Sequence, residues 1–180
     1  MIGQGKRSSF HGAGGGAGSF AIQLAKSYGA EVTGVDHASK FDFIRSLGAE
    51  HVIDDTLGAF TKRGQTFDAI LDGIACRSVF AYERALKPCG KRFVVGGSVA
   101  TMFQGLQLGP WIRRTTGKTI DFLVVRPNAK DMLHITELYE AGVIVSVIDR
   151  RYSLREVPEA LQYLGEGRVR GKVVITFETQ

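Results

Sequence analysis

The sequence predicts a doubly wound α/β fold, a parallel sheet with helices on both faces, that ends in a short helix and strand extension. Three observations carry this. Short apolar runs alternate with helical patterns along most of the 180 residues. Several of those runs, DAILDGI and RFVVGG among them, are too continuously apolar for a sheet with one wet face. Near the N-terminus, a glycine-rich turn leads into an amphipathic helix, and that helix leads into a strand closed by an acid.

The elements follow in order. An initial strand is expected just before the turn, at Arg7-Ser8-Ser9-Phe10, although two hydroxyls there cost stability unless each finds a partner. A helix stripe of Phe20, Ala21, Leu24, Ala25 and Tyr28 stops at Gly29. Strands are predicted at Glu31 to Val35, His51 to Asp54, Phe67 to Ile74, Arg92 to Gly96 and Thr119 to Val125, with a helix through Phe41 and Ile44 that stops at Leu47-Gly48. Asn128 precedes a helix through Ala141, with Asp131 in its first turn and Gly142 as its stop. Ser153 to Glu156 has capping-box spacing and opens a helix to about Leu164, and GKVVITFE closes the chain as a strand. Residues 1–149 are expected to form one domain and 150–180 its appendage.

Composition excludes several classes. With 44% hydrophobic and 23% charged residues the chain has material for one core. It shows no apolar run of membrane-spanning length and no stretch of signal-peptide type. Cys76 and Cys89 match neither a disulfide framework nor zinc-site spacing, so two reduced thiols, no metal and a cytoplasmic location are expected. Much of the net charge of +5 lies at Arg150, Arg151, Arg155, Arg168, Arg170 and Lys172. No aromatic-interleaved basic motif accompanies it, so neither nucleic acid nor a membrane is an expected partner.

The chemistry concentrates between His11 and Asp36. Ala13-x-Gly15-x-x-Gly18 is a variant of the G-x-G-x-x-G dinucleotide fingerprint, and Asp36 stands eighteen positions beyond Gly18, near the distance expected of a ribose-binding carboxylate. The amides of Gly16 to Ser19 would face a pyrophosphate at the positive end of the helix. Other residues have plainer readings. His11 is expected to be structural, Asp72 to hold a loop at the carboxyl end of its strand, Asn128 to cap a helix, Lys40 to be a surface charge, and Asp149 with Arg150 and Arg151 to form a surface ion-pair cluster.

The ordered segments HGAGGGAG, FAIQLAKSYGAEVTGVD, RSLGAEHVID, FDAILDGIA, ALKPCGKRFVVGG, FLVVRPNAKD, VIDRRYSLREVPEAL and GRVRGKVVI resemble the cofactor-binding half of the medium-chain dehydrogenase/reductase superfamily, in its zinc-independent quinone-oxidoreductase-like branch. The resemblance covers residues 10–178. It implies a Rossmann-type domain with a six-stranded sheet and a C-terminal segment that returns to a catalytic domain. The N-terminal half of the family's chain, which builds that catalytic domain together with the return segment and supplies most of the substrate wall, is expected to be missing here. Cys89 replaces a glycine usual in its turn, which matters if the turn needs a positive φ.

Position by position, the resemblance implies pyrophosphate contacts from Gly15, Gly16, Ala17 and Gly18, and an adenosine ribose near Asp36, His37, Ser39 and Lys40. Gly96, Gly97 and Ser98 would lie by the nicotinamide ribose, and the backbone of Phe122 to Val125, Val124 and Val125 included, by the carboxamide. Asn128 and Lys172 are further candidate contacts. Asp36 argues for NAD(H), while Ser39 and Lys40 argue for NADP(H), toward which the resemblance tips the expectation. The implied activity is hydride transfer to a quinone, enone or other activated carbonyl. The alternatives are a non-catalytic dinucleotide-binding module and a purely structural domain. No catalytic residue is assigned, the isolated chain is expected to be inactive, and a homo-oligomer is expected from an exposed sheet edge.

Overall fold

The computed structural model describes residues 2–57, 60–62, 64–96 and 99–177. Six strands form one parallel sheet: β1 (Arg7–His11), β2 (Glu31–Asp36), β3 (His51–Asp54), β4 (Phe67–Asp72), β5 (Leu86–Val94) and β6 (Thr119–Phe122). Their order is β3-β2-β1-β4-β5-β6. Sequence order reverses at β1 and β4, and the crevice beyond their carboxyl ends is where open α/β sheets bind ligands.

Helices α1 (Gly16–Ser27) and α2 (Phe41–Ser46) enclose a core of Phe10, Ile22, Val32 and Ile44. On the other side, α3 (Val79–Ala85) and α4 (Val99–Thr116) contribute Val79, Tyr82 and Ile112 to a core with Phe60, Phe67 and Ile70. Next come α5 (Ala129–Glu140), β7 (Ile148–Ser153), α6 (Val157–Gly165) and β8 (Lys172–Thr176), with β7 and β8 paired parallel in a separate two-stranded sheet. No helix among the described residues is long and apolar enough to cross a membrane.

The expected strands are all present, His51–Asp54 with the expected bounds and the others with moved ends. The fourth ends at Asp72 because its carboxylate turns back to accept the amides of Ile74 and Ala75. The fifth begins at Leu86, and its register with β4 jumps between Phe67 and Ala69 to absorb the Lys87–Gly90 bulge. The sixth stops at Phe122. Helices α3 and α4 and strand β7 were not anticipated. Pro110 inside α4 and the charges of IDRRYS disguise those periodicities.

The predicted stripe of α1 also needs correction. Ser19, Ile22, Gln23 and Ala25 are its buried residues, while Tyr28 is exposed. Ala21, Leu24 and Tyr28 instead border an apolar groove of about 470 Å³ above β1 and β4, which Phe93 and Leu123 also line. Helix α5 buries none of its residues.

Strand β1 forms in full register with β2 and β4. Ser8 and Ser9 are nonetheless buried, and their hydroxyls have no hydrogen-bond partner among the described residues. Glu156 accepts from both the amide and the hydroxyl of Ser153, so the capping residues behave as their spacing suggests.

Candidate dinucleotide site

The turn between β1 and α1 is built from backbone approaches that side chains would block. A Cβ on Gly18 would lie 2.3 Å from the Gly12 carbonyl oxygen, so the third glycine seats the helix against the strand end. Gly15 differs. It caps α1 at φ −83° and ψ 179°, an extended conformation open to any residue, and a Cβ there would meet only the Gly12 oxygen at 3.4 Å. Its openness is therefore not required by internal packing. Ala13 is wholly buried, and its Cβ, together with Ile44, fills the space that a side chain on Gly34 would claim.

Amide accounting narrows the anion-binding set. The Gly15 N–H goes to the Gly12 oxygen and the Ser19 N–H to the Gly15 oxygen, so Ser19 is not available as expected. Gly16, Ala17 and Gly18 form the first turn of α1, where amides have no acceptor within the helix. They adjoin a cleft of about 280 Å³ lined by His11, Gly12, Gly15 to Gly18, Gly73, Ile74 and Val95. Unengaged amides at the positive end of a helix, beside an open glycine, fit a bound pyrophosphate.

Cations surround this turn. Lys172 brings its ammonium to 3.0 Å from where a Gly16 Cβ would stand, and 5.8 Å from the Phe20 ring centre. Lys40 is not the expected surface charge. It is buried to 6% exposure, with its amine 3.5 Å from Asp36 and its stem filling the space beside Gly14. Asp36 is itself engaged, accepting from the Gly14 N–H and the His37 N–H, each at 2.8 Å. His37 and Ser39 are exposed and bonded to each other through Nδ1 and Oγ at 2.8 Å.

Arg170 was missed in the sequence, yet it donates to the Ser39 carbonyl at 2.9 Å. Its own amide is held by Asp149, which also accepts from the Tyr163 hydroxyl, while Arg150 stacks 4.0 Å from the Tyr163 ring. The expected Asp149 ion-pair cluster thus holds the C-terminal segment so that Arg170 reaches Ser39 beside the turn. A basic residue within GRVRGK gave no periodic signal for this.

The remaining candidates stand apart. Gly96 is exposed at φ +81°, and Gly97 and Ser98 lie outside the described residues. Val124 and Val125 are exposed beyond the end of β6. Asn128 caps α5, accepting the Asp131 amide at 2.9 Å, as its plainer reading held.

Below the turn lies a polar network that the sequence only hinted at. His11 Nδ1 is 3.1 Å from Asp72 and 3.0 Å from the Tyr82 hydroxyl, while Nε2 is 3.0 Å from Asp55. Asp72 also pairs with fully buried Arg92, whose guanidinium lies 3.7 Å from the Tyr82 ring centre. Burial opposes charge on His11, but the hydrogen bonds and charges of Asp72 and Asp55 outweigh it and raise its pKa. Burial likewise opposes charge on Asp72, and His11, Arg92 and the Ala75 amide overcome it, holding that carboxyl well below the usual range.

Comparison with known proteins then decides the family. A family model described as zinc-binding dehydrogenase matches residues 47–175. This chain belongs to that family. It lies within the medium-chain dehydrogenase/reductase superfamily, and its relatives include a mitochondrial NAD(P)H oxidoreductase, RTN4IP1, of Mus musculus. That protein is 31% identical over 190 residues, covering 96% of this chain and 48% of the relative. The trans-enoyl reductase pgmF of Aspergillus terreus is 30% identical, with 97% and 52% covered.

Among solved structures, the quinone oxidoreductase of Coxiella burnetii superposes with a TM-score of 0.79 at 23% identity, over 99% of this chain and 54% of its own. A cobalt- and zinc-bound thermostable alcohol dehydrogenase of Pyrobaculum aerophilum gives 0.79 at 25% identity, over 98% and 51%. The chain spans about half the length of the curated relatives it matches. A nicotinamide dinucleotide cofactor is the expectation for this family.

Proposed function

We propose that this chain is the cofactor-binding part of an NAD(P)H-dependent oxidoreductase that reduces a quinone, enone or other activated carbonyl. The observation that carries this is the first turn of α1, where the amides of Gly16, Ala17 and Gly18 lie open beside Gly15 with Lys172 against them. When bound, the nicotinamide supplies the hydride, and the protein supplies orientation and electrostatics. The amides and Lys172 would hold the pyrophosphate. Asp36, His37, Ser39 and Lys40 would flank the adenosine ribose, and Gly96, Gly97, Ser98, Val124 and Val125 would lie toward the nicotinamide end. Asn128 is left its capping role. Residues 150–180 would return to a catalytic domain while also delivering Arg170 and Lys172 to the turn.

NADP(H) is favoured over NAD(H) in this reading. Asp36 would repel a 2′-phosphate, but its oxygens are engaged by two amides and its charge is faced by Lys40. Arg170 and Ser39 stand at the same place and suit a phosphate. A homodimer through the β6 edge belongs to the same proposal, since Leu106, Trp111 and Val124 are exposed around it. Titration by nicotinamide fluorescence at matched ionic strength tests the assignment. Tighter NADPH than NADH binding supports it, a clear preference for NADH removes the phosphate argument, and binding of neither leaves a structural domain.

A further inference from the structure

The carboxyl ends of β1, β3 and β4 bring three donors of different chemistry to one point. His11 ends β1, Asp55 follows β3, and Cys76 follows the turn after β4. One ligand atom from each lies within 4.8 Å of the other two. We propose that His11 Nε2, one carboxylate oxygen of Asp55 and the Cys76 sulfur form a binding site for a single zinc-like divalent ion, adjoining through His11 the cleft at the glycine turn.

The donor set is that of zinc, which takes imidazole nitrogen, carboxylate oxygen and thiolate sulfur, and which in open sites keeps three protein ligands and one free position. The supporting shell is already assembled. His11 offers Nε2 because its Nδ1 is held by Asp72, the outer carboxylate that orients many metal-binding imidazoles. Asp72 is fixed in turn by Arg92 and by the amides of Ile74 and Ala75. Arg77 occupies the other oxygen of Asp55, leaving Oδ2 toward His11. Ala75 adopts φ +54°, an uncommon conformation for a non-glycine residue, in the turn that brings Cys76 to the group.

Burial is graded across the site. The His11 side chain has no exposure, that of Asp55 has 21%, and Cys76 is exposed, so an ion enters past the sulfur and a water can complete the sphere there. Binding is an exchange without redox change. The dication enters, the proton between His11 Nε2 and Asp55 leaves, and the Cys76 thiol proton leaves. Two charges are exchanged for two protons, so the surrounding carboxylates and guanidiniums meet the same net charge as before. Residues 11, 55 and 76 are too far apart in sequence for any local metal motif to have announced them.

The test is titration of the whole 180-residue chain, thiols reduced, with Co²⁺ and then Zn²⁺. The expected result is one-to-one cobalt binding with a sulfur-to-cobalt charge-transfer band, displaced stoichiometrically by zinc. Cys76→Ser should remove the band and weaken zinc by at least about tenfold, the low end of the loss seen for outer-shell partners. Cys89→Ser should leave both unchanged. Asp72→Asn, checked for folding by circular dichroism, should keep the band while lowering affinity about 10- to 100-fold. Absence of the band in the unaltered chain, or its survival in Cys76→Ser, overturns the proposal.

Discussion

Gly171 donates its N–H to the Gly14 carbonyl at 2.9 Å, which hangs the last strand on the glycine turn at the other end of the chain. Gly171 has φ +81°, and a Cβ there would lie 2.5 Å from the Val147 oxygen. Gly171→Ala should therefore shift the start of β8 and carry Lys172 away from α1. NADPH affinity should fall about fivefold, the value of roughly 1 kcal/mol for a charge at a helix end. Fluorescence titration of a variant with unchanged circular dichroism measures this. Equal affinity would detach the C-terminal segment from the site.

Two glycines of the turn should separate binding from folding. A Cβ at Gly15 would meet only the Gly12 oxygen, at 3.4 Å, so Gly15→Val should fold yet lose dinucleotide affinity by more than about tenfold, because its side chain enters the ligand's path. Gly18→Ala collides with the Gly12 and Ala13 carbonyls and should cost about 1 to 3 kcal/mol of stability by overpacking. Urea melts beside titrations read both. A Gly15 variant that binds normally moves the pyrophosphate elsewhere.

Cys89 sits at φ +61°, the conformation for which a glycine is suited. Cys89→Gly should stabilise the protein by about 1 kcal/mol, seen as a higher urea midpoint at unchanged slope. A lower midpoint would show that the side chain contributes more than its strain costs.

Much of this fold was legible because its signals are local. Continuous apolar runs marked the buried strands, and glycines marked the turn and several helix stops. Asp149 and Arg170 were misjudged or missed because their partners, Tyr163 and Ser39, lie in other elements. Lys40 has its partner Asp36 only four residues away, but its burial comes from packing against the glycine turn, which that spacing does not show. Arg92 carried a signal that could have been used. A guanidinium inside an apolar strand needs a carboxylate on a neighbouring strand, and Asp72 ends the adjacent one. The stripe of α1 failed for another reason, since a groove-facing stripe and a core-facing stripe have the same period.

Stability should depend on pH on both sides, with a chelator present. Asp72 is held low by His11, Arg92 and the Ala75 amide against the cost of burial. Asp68 is held low against burial by Lys87, the Arg7 amide and Lys6. A lowered folded-state pKa contributes stability above the unfolded value, about 3.9, that is lost as pH falls. His11, faced by Asp55, Asp72, Tyr82 and Cys76 with Arg77 and Arg92 behind them, has a raised pKa. Its contribution is full below about 6.5 and is lost as pH rises through the raised value. Urea midpoints should peak between these limits, and His11→Gln should flatten the alkaline limb. A wild-type limb that stays level to pH 9 would contradict the charged imidazole.

The chain by itself should turn over slowly. Holding an acceptor against the nicotinamide can be worth about 7 to 11 kcal/mol, and no acceptor wall is assigned within these 180 residues. NADPH oxidation with quinones, enones and aldehydes should run well below about 1 s⁻¹, the low end of ordinary enzymes. Faster turnover would mean that this chain, alone or paired with a second copy, completes the site.

The two silent hydroxyls of β1 give this protein an evolutionary reserve. Each buried polar group without a partner costs about 1 to 3 kcal/mol, and Ser8 and Ser9 place both costs in the strand that borders β2 and β4. A change from serine to alanine at either position would recover part of that cost without altering the turn. A lineage carrying this sequence thus keeps, in the middle of its sheet, a ready compensation for damage accepted elsewhere.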